Sequence, residues 1–516
     1  MISVKANFMK MNNALRTPAL ALVFCVLSGP SLLGQITQDY LQFSQVGQFG
    51  SARMQSMANA FHALGSGVTS LHLNPAASAV NSDSKMALGL SFDQNQNLSN
   101  YNGQESSSED DYFGFAHVGA LLVAEQINQT NPWRKISFGF SMATLKNFDQ
   151  SIFASGNTQT GLSHYFANQA QGTALGELQL GNGESLSSAY SYLGNELGRG
   201  AQLGLLAYQA YLIDPENEGG NNVNYLVATN DQRRQNTYME LGGAMRQFNL
   251  NIATQYGDHL FMGMNLNSHV LRYTRSTRIK EYAVSENSPL QNLTYNNFER
   301  TDGEGFSLQL GAIYAPGAHW RMSLSYDSPT WWQLNEESAE SLSSSVLVDQ
   351  GLDNYVMDPE VRNFYEPYRL RTPGQWNAGL AYVFGPQGLI SASLSQKDYS
   401  SGAFNEDGSS FFNNANNTIN QEYTQSMKLS LGGEYRFGPW RLRAGYWQEE
   451  QALKNTDLSD NFGMNYGIGF YGGGWAIDAA FVNTVTYAYS ARYLLENRFS
   501  NELKSNSLII SLALDL

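Results

Sequence analysis

The most constraining feature of this chain is an alternation of large apolar residues with small or polar ones. In residues 85–93, which read KMALGLSFD, every second residue from Met86 to Phe92 is large and apolar. Successive side chains of a β-strand point to opposite faces, so this period of two predicts strands with one apolar face. Fourteen segments show the pattern: 85–93, 111–125, 133–149, 236–255, 258–281, 303–315, 319–328, 369–384, 388–399, 425–437, 439–449, 462–472, 475–489 and 505–516.

The connections between these segments are short and long in strict alternation. The short ones, several with Gly or Pro, are 126–132, 256–257, 316–318, 385–387, 438 and 473–474. The long ones are polar: 94–110, 150–235, 282–302, 329–368, 400–424, 450–461 and 490–504. Outer-membrane barrels combine tight periplasmic turns, long outer loops and an even strand number. The sequence therefore predicts an all-β fold, a 14-stranded antiparallel transmembrane β-barrel over residues 85–516, with both termini in the periplasm of a Gram-negative bacterium.

The tryptophans support a barrel over a soluble β-sandwich or propeller. Four of the eight follow short connections and four lie at or near the long ones: Trp133, Trp320, Trp440 and Trp475, then Trp331, Trp332, Trp376 and Trp447. Aromatic residues collect at the two interfaces of a membrane barrel, whereas a soluble β-fold would place tryptophan in a central core. The distribution therefore favours two aromatic girdles.

Residues 1–34 have the features of a secretory signal peptide. A basic start is followed by the apolar run Ala19–Leu27 and by small residues near Gly34. This run is too short for a transmembrane helix, which needs about 20 apolar residues. The only cysteine, Cys25, lies in this segment, so the sequence predicts a mature chain without a disulfide or a cysteine-ligated metal.

Charge and motifs exclude several classes of function. The formal charge is −15, which disfavours nucleic acid, since that binding needs Lys and Arg on phosphates. A G-x-G-x-x-G match at residues 467–472 continues as an alternating strand and not as the helix that dinucleotide binding requires. The seven histidines lack metal-site spacing, and no serine-nucleophile motif occurs. We therefore expect no enzyme activity, no catalytic residues, no metal and no cofactor.

Residues 35–84 precede the first strand and do not alternate. A barrel of fourteen strands lies between the filled eight-stranded barrels and the open channels of sixteen to eighteen strands, so a compact segment of this size could plug the lumen. Within it, Gly50–Val80 reads GSARMQSMANAFHALGSGVTSLHLNPAASAV. This stretch resembles the N-terminal hatch of the FadL-type transporters of long-chain fatty acids and hydrocarbons. The matching positions are Gly50, Ala60, Phe61, Gly65, Asn74, Pro75 and Ala76.

The resemblance implies a function and a set of site residues. It implies passive uptake of a hydrophobic small molecule, with outer-membrane lipid as its surroundings and an exit that runs sideways through a kinked strand. Phe61, Gly65, Asn74, Pro75 and Ala76 are the predicted hatch and gating residues. An Asn-Pro pair also makes a rigid turn, because the amide binds local backbone and proline fixes φ. The sequence identifies no ligand-binding residues.

The predicted outer loop 150–235 contains apolar residues at helical spacing. They are Leu186, Ala189, Tyr190, Leu193 and Leu197, then Leu203, Leu206 and Tyr208. Such a helical pair could form a groove that captures a hydrophobic ligand, or it could pack on itself and cover the barrel. Sequence alone leaves both open.

A second function remains open at this stage. One FadL-related barrel serves as a carrier or docking subunit of the type IX protein secretion machinery, and here the long extracellular loops would bind protein partners. A continuous apolar cavity in the barrel would favour uptake over docking.

Overall fold

The computed structural model describes residues 39–125, 131–348, 351–405, 410–490 and 499–516. The predicted signal peptide lies outside them, as does the predicted periplasmic N-terminus. Fourteen strand positions are present in this part of the chain: β1 (Lys85–Tyr101), β2 (Gln104–Glu125), β3 (Trp133–Asn147 and Gln150–Thr158), β4 (Arg233–Tyr256), β5 (Leu260–Ala283), β6 (Leu290–Tyr314), β7 (Trp320–Asp327 and Trp331–Val348), β8 (Gly351–Met357, Asn363–Phe364, Tyr368–Arg371 and Gln375–Val383), β9 (Gly388–Asp398), β10 (Gln425–Phe437), β11 (Trp440–Glu449), β12 (Asn461–Tyr471), β13 (Trp475–Ser490) and β14 (Phe499–Asp515).

The strands form one closed antiparallel sheet. Neighbours in sequence pair with each other, and β14 returns to β1 in a register that runs from Lys85–Asp515 to Asn100–Ser500. Closure gives hydrogen-bond partners to the backbone N–H and C=O groups of both edge strands, and lipid offers no such partners. The predicted 14-stranded antiparallel barrel is confirmed.

Several strands are longer than the sequence predicts. Residues 94–110, predicted as a loop, form the upper parts of β1 and β2, joined by a two-residue turn at Asn102 and Gly103. Both turn residues have positive φ, 51° and 80°, as tight hairpins require. Much of 282–302 and 329–368, and the described residues of 490–504, are likewise strand. The prediction was wrong there because these parts are polar on both faces, so the apolar alternation is lost while the ladder continues.

The alternation separates an outward apolar face from a polar lumen. Phe138 and Phe140 on β3 are each 49 % exposed, whereas Ser137 and Ser141 are fully buried. Six tryptophans are outward and exposed, but Trp332 and Trp447 are buried in the interior, because each lies on the inward parity of its strand. The sequence placed these two near a rim without showing which way they point.

The segment from residue 39 to 81 lies inside the barrel as the hatch. It contains a helical stretch at 39–44, the one-turn helix α1 (Ala52–Gln55), and two 3₁₀ helices, Val68–His72 and Pro75–Val80. Residues 52–81 are mostly buried close to the short turns. The first described residues lie much higher, since Asp39 pairs with Arg275, fifteen residues beyond Leu260 at the start of β5.

Eight strand glycines make room for the hatch backbone and side chains. A Cβ placed on any of them would come within 3.0 Å of a hatch atom. These glycines, which we call the glycine belt, are Gly119, Gly139, Gly263, Gly311, Gly379, Gly432, Gly445 and Gly467. Real Cβ atoms essentially never approach so closely. The lumen is therefore shaped around the hatch at this level.

The predicted outer loop folds as a helical cap. It contains α2 (Leu162–Ala170), α3 (Leu175–Leu178), α4 (Leu186–Glu196) and α5 (Arg199–Gln209), and a two-stranded ribbon of Ile213–Pro215 with Tyr225–Val227. A further helix, α6 (Ser410–Glu422), lies in the connection after β9. No helix in these described ranges is long and apolar enough to cross a membrane.

The cap packs on itself and on the upper strands. Tyr190, Leu193, Leu203 and Leu206, all from the predicted helical pair, are fully buried. They share one apolar cluster with strand residues such as Tyr295 on β6. The predicted helices are confirmed, and their apolar faces cover the barrel instead of forming an open groove.

The glycine belt generates the first prediction. In Gly263→Ala and Gly445→Ala, the added methyl group would meet hatch backbone atoms, Pro75 O and Met57 C, which cannot swing aside. We expect hatch docking to weaken by about 1–3 kcal/mol, as for other overpacked sites. Single-channel recording in planar bilayers should then show more frequent ion-conducting openings.

The matched control is Gly317→Ala in a short turn, where a Cβ would meet nothing within 4 Å. Closed channels in both belt variants would contradict the role of the belt.

Candidate functional site

The predicted residues Asn74, Pro75 and Ala76 form the turn that attaches the hatch to β6. Asn74 Nδ2 donates to His62 O at 3.0 Å and to Ala312 O at 3.3 Å, while its Oδ1 accepts from Ala76 N at 3.1 Å. Pro75 begins the 3₁₀ helix after this cap. One buried amide thus joins two parts of the hatch to the barrel wall.

Gly65 and Phe61 shape the preceding bend of the hatch. Gly65 has φ of 62°, and a Cβ there would lie 2.8 Å from two atoms of Val80. The Phe61 ring is 1 % exposed and lies 5.4 Å below the Arg53 guanidinium. The five predicted residues therefore belong to one compact hatch, and their role in gating stays a prediction.

Interior amides of the barrel bind carbonyl groups of the hatch. Asn251 donates to Pro75 O at 2.9 Å, and Asn265 donates to Leu71 O at 2.8 Å. Gln309 donates to the carbonyls of two adjacent hatch residues at 3.1 Å each. The sequence analysis missed these residues, although the signal of Asn251 and Asn265 is visible as amides at every second position in NLNIA and NLNSH, residues 249–253 and 265–269.

A buried ionic network fixes the other side of the hatch. Arg53 Nε on α1 lies 3.0 Å from Glu434 Oε2, which Arg443 Nε also contacts at 2.7 Å. Arg443 Nη1 in turn reaches Asp478 Oδ1 at 2.7 Å. Breaking one partner of such a network leaves an uncompensated buried charge, which is costly. We call these four residues the hatch latch.

His72 is held neutral within the hatch. Its Nε2 lies 2.7 Å from Ser141 Oγ and its Nδ1 lies 3.3 Å from Gln247 Oε1. Burial lowers the pKa of His72 to about 4, against an ordinary value of 6.5, because the charged ring would lose its hydration. A neutral ring satisfies both neighbours.

Above the hatch, the lumen contains a cavity of about 460 Å³. Its floor includes Phe49 and Gln55, and its walls include Leu145, Tyr273 and Val482 from three strands. The lining is mixed: apolar side chains stand beside charged ones, which are Asp93, Lys146, Asp149, Arg246, Lys428 and Glu449 among others. A site of this size holds a small organic molecule.

The wall beside this cavity is interrupted between β2 and β3. Their ladder ends at the pair His117–Ala143. Just beyond it β3 has a bulge at Leu145, and the strand breaks between Asn147 and Gln150. The hatch compensates for the bulge, because Gly47 N donates to Leu145 O at 2.9 Å.

Side chains alone bridge the interruption in the described chain. Thr144 Oγ1 donates to Phe115 O at 2.7 Å, and higher up Ser151 Oγ donates to Asp110 Oδ1 at 2.8 Å. Phe113 and Phe115 point outward and are 67 % and 45 % exposed. Gly114 and Leu145 at the same level line the cavity. The interruption therefore lies between the cavity and an apolar outer surface.

Within the described residues, no group of His, Cys, Asp and Glu is arranged to hold a metal ion. The chemistry of the site is therefore that of a plugged, partly apolar lumen with a weakened wall.

Comparison with known proteins identifies the family. Residues 234–504 match the family model described as outer membrane protein transport protein (OMPP1/FadL/TodX). The chain belongs to this family. The matched region covers eleven of the fourteen strands of this FadL-family barrel, from β4 to β14. No curated protein sequence matches the chain.

Solved structures share the fold at low sequence identity. The toluene transporter TodX of Pseudomonas putida aligns with a TM-score of 0.50 and 12 % identity, over 91 % of this chain and 99 % of that one. A FadL homologue of Pseudomonas aeruginosa aligns with a TM-score of 0.52 and 11 % identity, over 91 % and 98 %. In both alignments the covered part of this chain is longer than the barrel alone, so it extends into the hatch. Both structures support the fold.

Asn74 provides a test of hatch attachment. Asn74→Ala removes two donated bonds and one cap, so docking should weaken by about 1–3 kcal/mol. Trypsin cleavage after Arg53 in the folded barrel should then accelerate by at least about fivefold. Asn74→Asp keeps the cap acceptor but sets a buried carboxylate oxygen against the carbonyls of His62 and Ala312, so it should accelerate cleavage at least as much. Asn287→Ala in an exposed turn should change nothing. Equal cleavage of Asn74→Ala and wild type would refute this attachment.

The pKa of His72 predicts release of the hatch by acid. The undocked ring takes up a proton near pH 6.5, but the docked ring resists until about pH 4. Docking is therefore fully stabilised above pH 6.5 and loses up to about 3 kcal/mol as the pH falls to 4. Channel conductance should rise over this range, and His72→Gln, which cannot titrate, should respond less. An unchanged pH profile in His72→Gln would exclude this cause.

Proposed function

We propose that this FadL-family barrel is a passive outer-membrane channel for the uptake of hydrophobic small molecules, such as long-chain fatty acids or hydrocarbons. The observation that carries the proposal is the lumen cavity beside the β2–β3 interruption, above a hatch that fills the lumen near the short turns. The name of the similar TodX describes it as a toluene transporter, which agrees with a ligand of this class.

In the proposed route, an apolar ligand partitions from one apolar environment into the next. A ligand leaves the outer surface, enters the cavity, and passes sideways between Phe115 and Thr144 into the apolar layer of the bilayer. Only side chains have to move for this step. The driving force is the ligand gradient or consumption inside the cell.

The proposed organisation of the whole chain gives the orientation of this route in the outer membrane. Residues 1–34 are a signal peptide, residues 35–84 form the hatch, and residues 85–516 form the barrel with the extracellular loop 150–235. The short turns and the C-terminus face the periplasm, where Leu516 N donates to Ser84 O at 2.8 Å. The proposed gating residues Phe61, Gly65, Asn74, Pro75 and Ala76 keep the hatch closed while ligand leaves sideways.

The docking role in protein secretion is the competing function. Its loops would offer a binding surface. The cap buries residues such as Tyr190 and Leu206 on the barrel, while Tyr192, Leu197 and Leu226 stay exposed. The lumen cavity, whose lining is mixed and not continuously apolar, favours uptake.

A disulfide between the hatch and the barrel distinguishes sideways exit through the wall from exit through the hatch. In Ser78→Cys/Ser137→Cys, the two sulfur atoms would replace hydroxyl oxygens that lie 2.9 Å apart, and the disulfide would tie the hatch to β3. Uptake of radiolabelled oleate and toluene is measured in cells that express the variant, under oxidising and reducing conditions. We expect equal uptake in both, because sideways exit leaves the hatch in place. The single-cysteine variants control for the substitutions themselves.

Two other results would contradict the proposal at different levels. Uptake that stops on oxidation and returns on reduction would replace the sideways exit by exit through the hatch. Wild-type uptake no greater than that of cells with an unrelated barrel would refute the channel function and favour docking.

A further inference from the structure

A second cavity, of about 160 Å³, lies on the other side of the first hatch residues. Its walls come from the hatch and from the inner faces of β3 to β11. Val46, Phe49, Leu145 and Lys428 line both cavities, so the two adjoin at these residues. Its volume corresponds to about five water molecules at liquid density, which is enough for a ligand head group.

Six polar atoms on the walls of this small cavity have no hydrogen-bond partner among the described residues. Two are Ser44 Oγ and Asp327 Oδ1, and four lie on amide or ring side chains: Asn59 Oδ1, His62 Nδ1, His269 Nδ1 and Trp332 Nε1. The residues of these four are only 7 %, 5 %, 6 % and 2 % exposed. A buried polar group without a partner is costly, and most native buried groups are satisfied. A group of them around one cavity indicates a site that receives a polar group.

The surrounding contacts hold these atoms in position. His269 Nε2 lies 2.8 Å from Ser307 Oγ, which fixes the imidazole ring, and the ring centroid lies 5.6 Å from that of Trp332. Asn59 Nδ2 donates to Phe49 O at 3.3 Å, which leaves Oδ1 as the free acceptor. The indole N–H can only donate. A hydroxyl group, which both donates and accepts, matches this set.

The charges on the walls balance. Lys397 and Lys428 face the cavity together with Asp327 and Glu449, so two positive groups meet two negative ones. Lys428 Nζ already lies 3.2 Å from Glu449 Oε2, and Lys397 Nζ donates to Ser44 O at 3.1 Å. Burial lowers the pKa of His62 to about 4, so its ring is neutral at neutral pH. A carboxylate would therefore gain no net attraction and would face two anionic side chains.

We propose that the natural ligand is an uncharged amphiphile, such as a long-chain alcohol, whose hydroxyl head binds in the small cavity while its apolar chain lies in the larger one. This inference rests on the proposed uptake function and specifies its substrate class. It distinguishes this barrel from a channel for bare hydrocarbon, which would leave these polar atoms unsatisfied, and from a carrier of carboxylates.

The test compares three ligands of one chain length. Radiolabelled decane, 1-decanol and decanoate are equilibrated at pH 8 with protein in lipid nanodiscs, and binding to empty nanodiscs is subtracted. Wild-type protein should bind 1-decanol about fivefold to tenfold more tightly than the other two, as expected for one or two net hydrogen bonds. Trp332→Phe, which removes the donor but keeps a ring, should abolish most of this preference.

Two further variants keep the result interpretable. Trp331→Phe changes the adjacent outward residue, which is 48 % exposed, and should retain the wild-type preference. His269→Phe removes a different unpartnered atom, Nδ1 of His269, from the same cavity. A folding defect in Trp332→Phe alone would therefore not decide whether the small cavity binds the hydroxyl group. We expect it also to weaken 1-decanol binding and to leave decane unchanged.

The outcomes that overturn the inference are distinct. Equal binding of decane and 1-decanol, or full preference in both cavity variants, means that the small cavity holds water only. Tightest binding of decanoate means that the charged head is the one selected. In both cases the uptake function stands, whereas no binding of any ligand above empty nanodiscs would count against that function as well.

Discussion

Closure of the sheet on itself is the constraint on which the rest of the structure depends. Lipid offers no hydrogen bonds, so each strand needs a partner on both sides, and the pairing of β14 with β1 supplies the last one. Closure with fourteen strands leaves a lumen that strand side chains alone do not fill. The inward faces must therefore be built for a second task, which is to bind the hatch.

The barrel accommodates the hatch by shape and by hydrogen bonding together. The glycine belt lets hatch atoms approach the wall closely, and interior amides such as Asn265 bind the hatch carbonyls that become buried there. The hatch latch adds ionic contacts on the opposite side through Glu434. Because buried polar groups are costly when unpaired, these contacts make the docked hatch a single, well-defined state. The small cavity, with Trp332 Nε1 unpartnered, is one part of the lumen that departs from this rule.

The stable hatch-filled end near the short turns and the weaker wall at the β2–β3 interruption have different physical origins. Near the short turns, backbone ladders and hatch contacts reinforce each other, so an opening there breaks many bonds at once. At the β2–β3 interruption, the ladder ends at the pair His117–Ala143, and side-chain bridges from Thr144 and Ser151 remain. Side-chain rotations are faster and cost less than strand separation. This difference supports the proposed sideways passage of an apolar ligand.

The sequence by itself determined the fourteen-stranded barrel, because lipid imposes a period of two on each strand and the connections alternate in length. The hatch before the first strand was predicted from the lack of that alternation and from the resemblance to the FadL-type family. The sequence also determined the α4–α5 pair, since helical periodicity is equally local. It missed the polar upper strands, such as those around Tyr101, because two polar faces leave no alternation to detect. Only the tertiary structure decided that Trp332 faces inward beside His269, that Asn251 and Asn265 bind the hatch, and that the β2–β3 ladder ends at His117. These features depend on register and on contacts between residues up to hundreds of positions apart, which a local pattern does not encode.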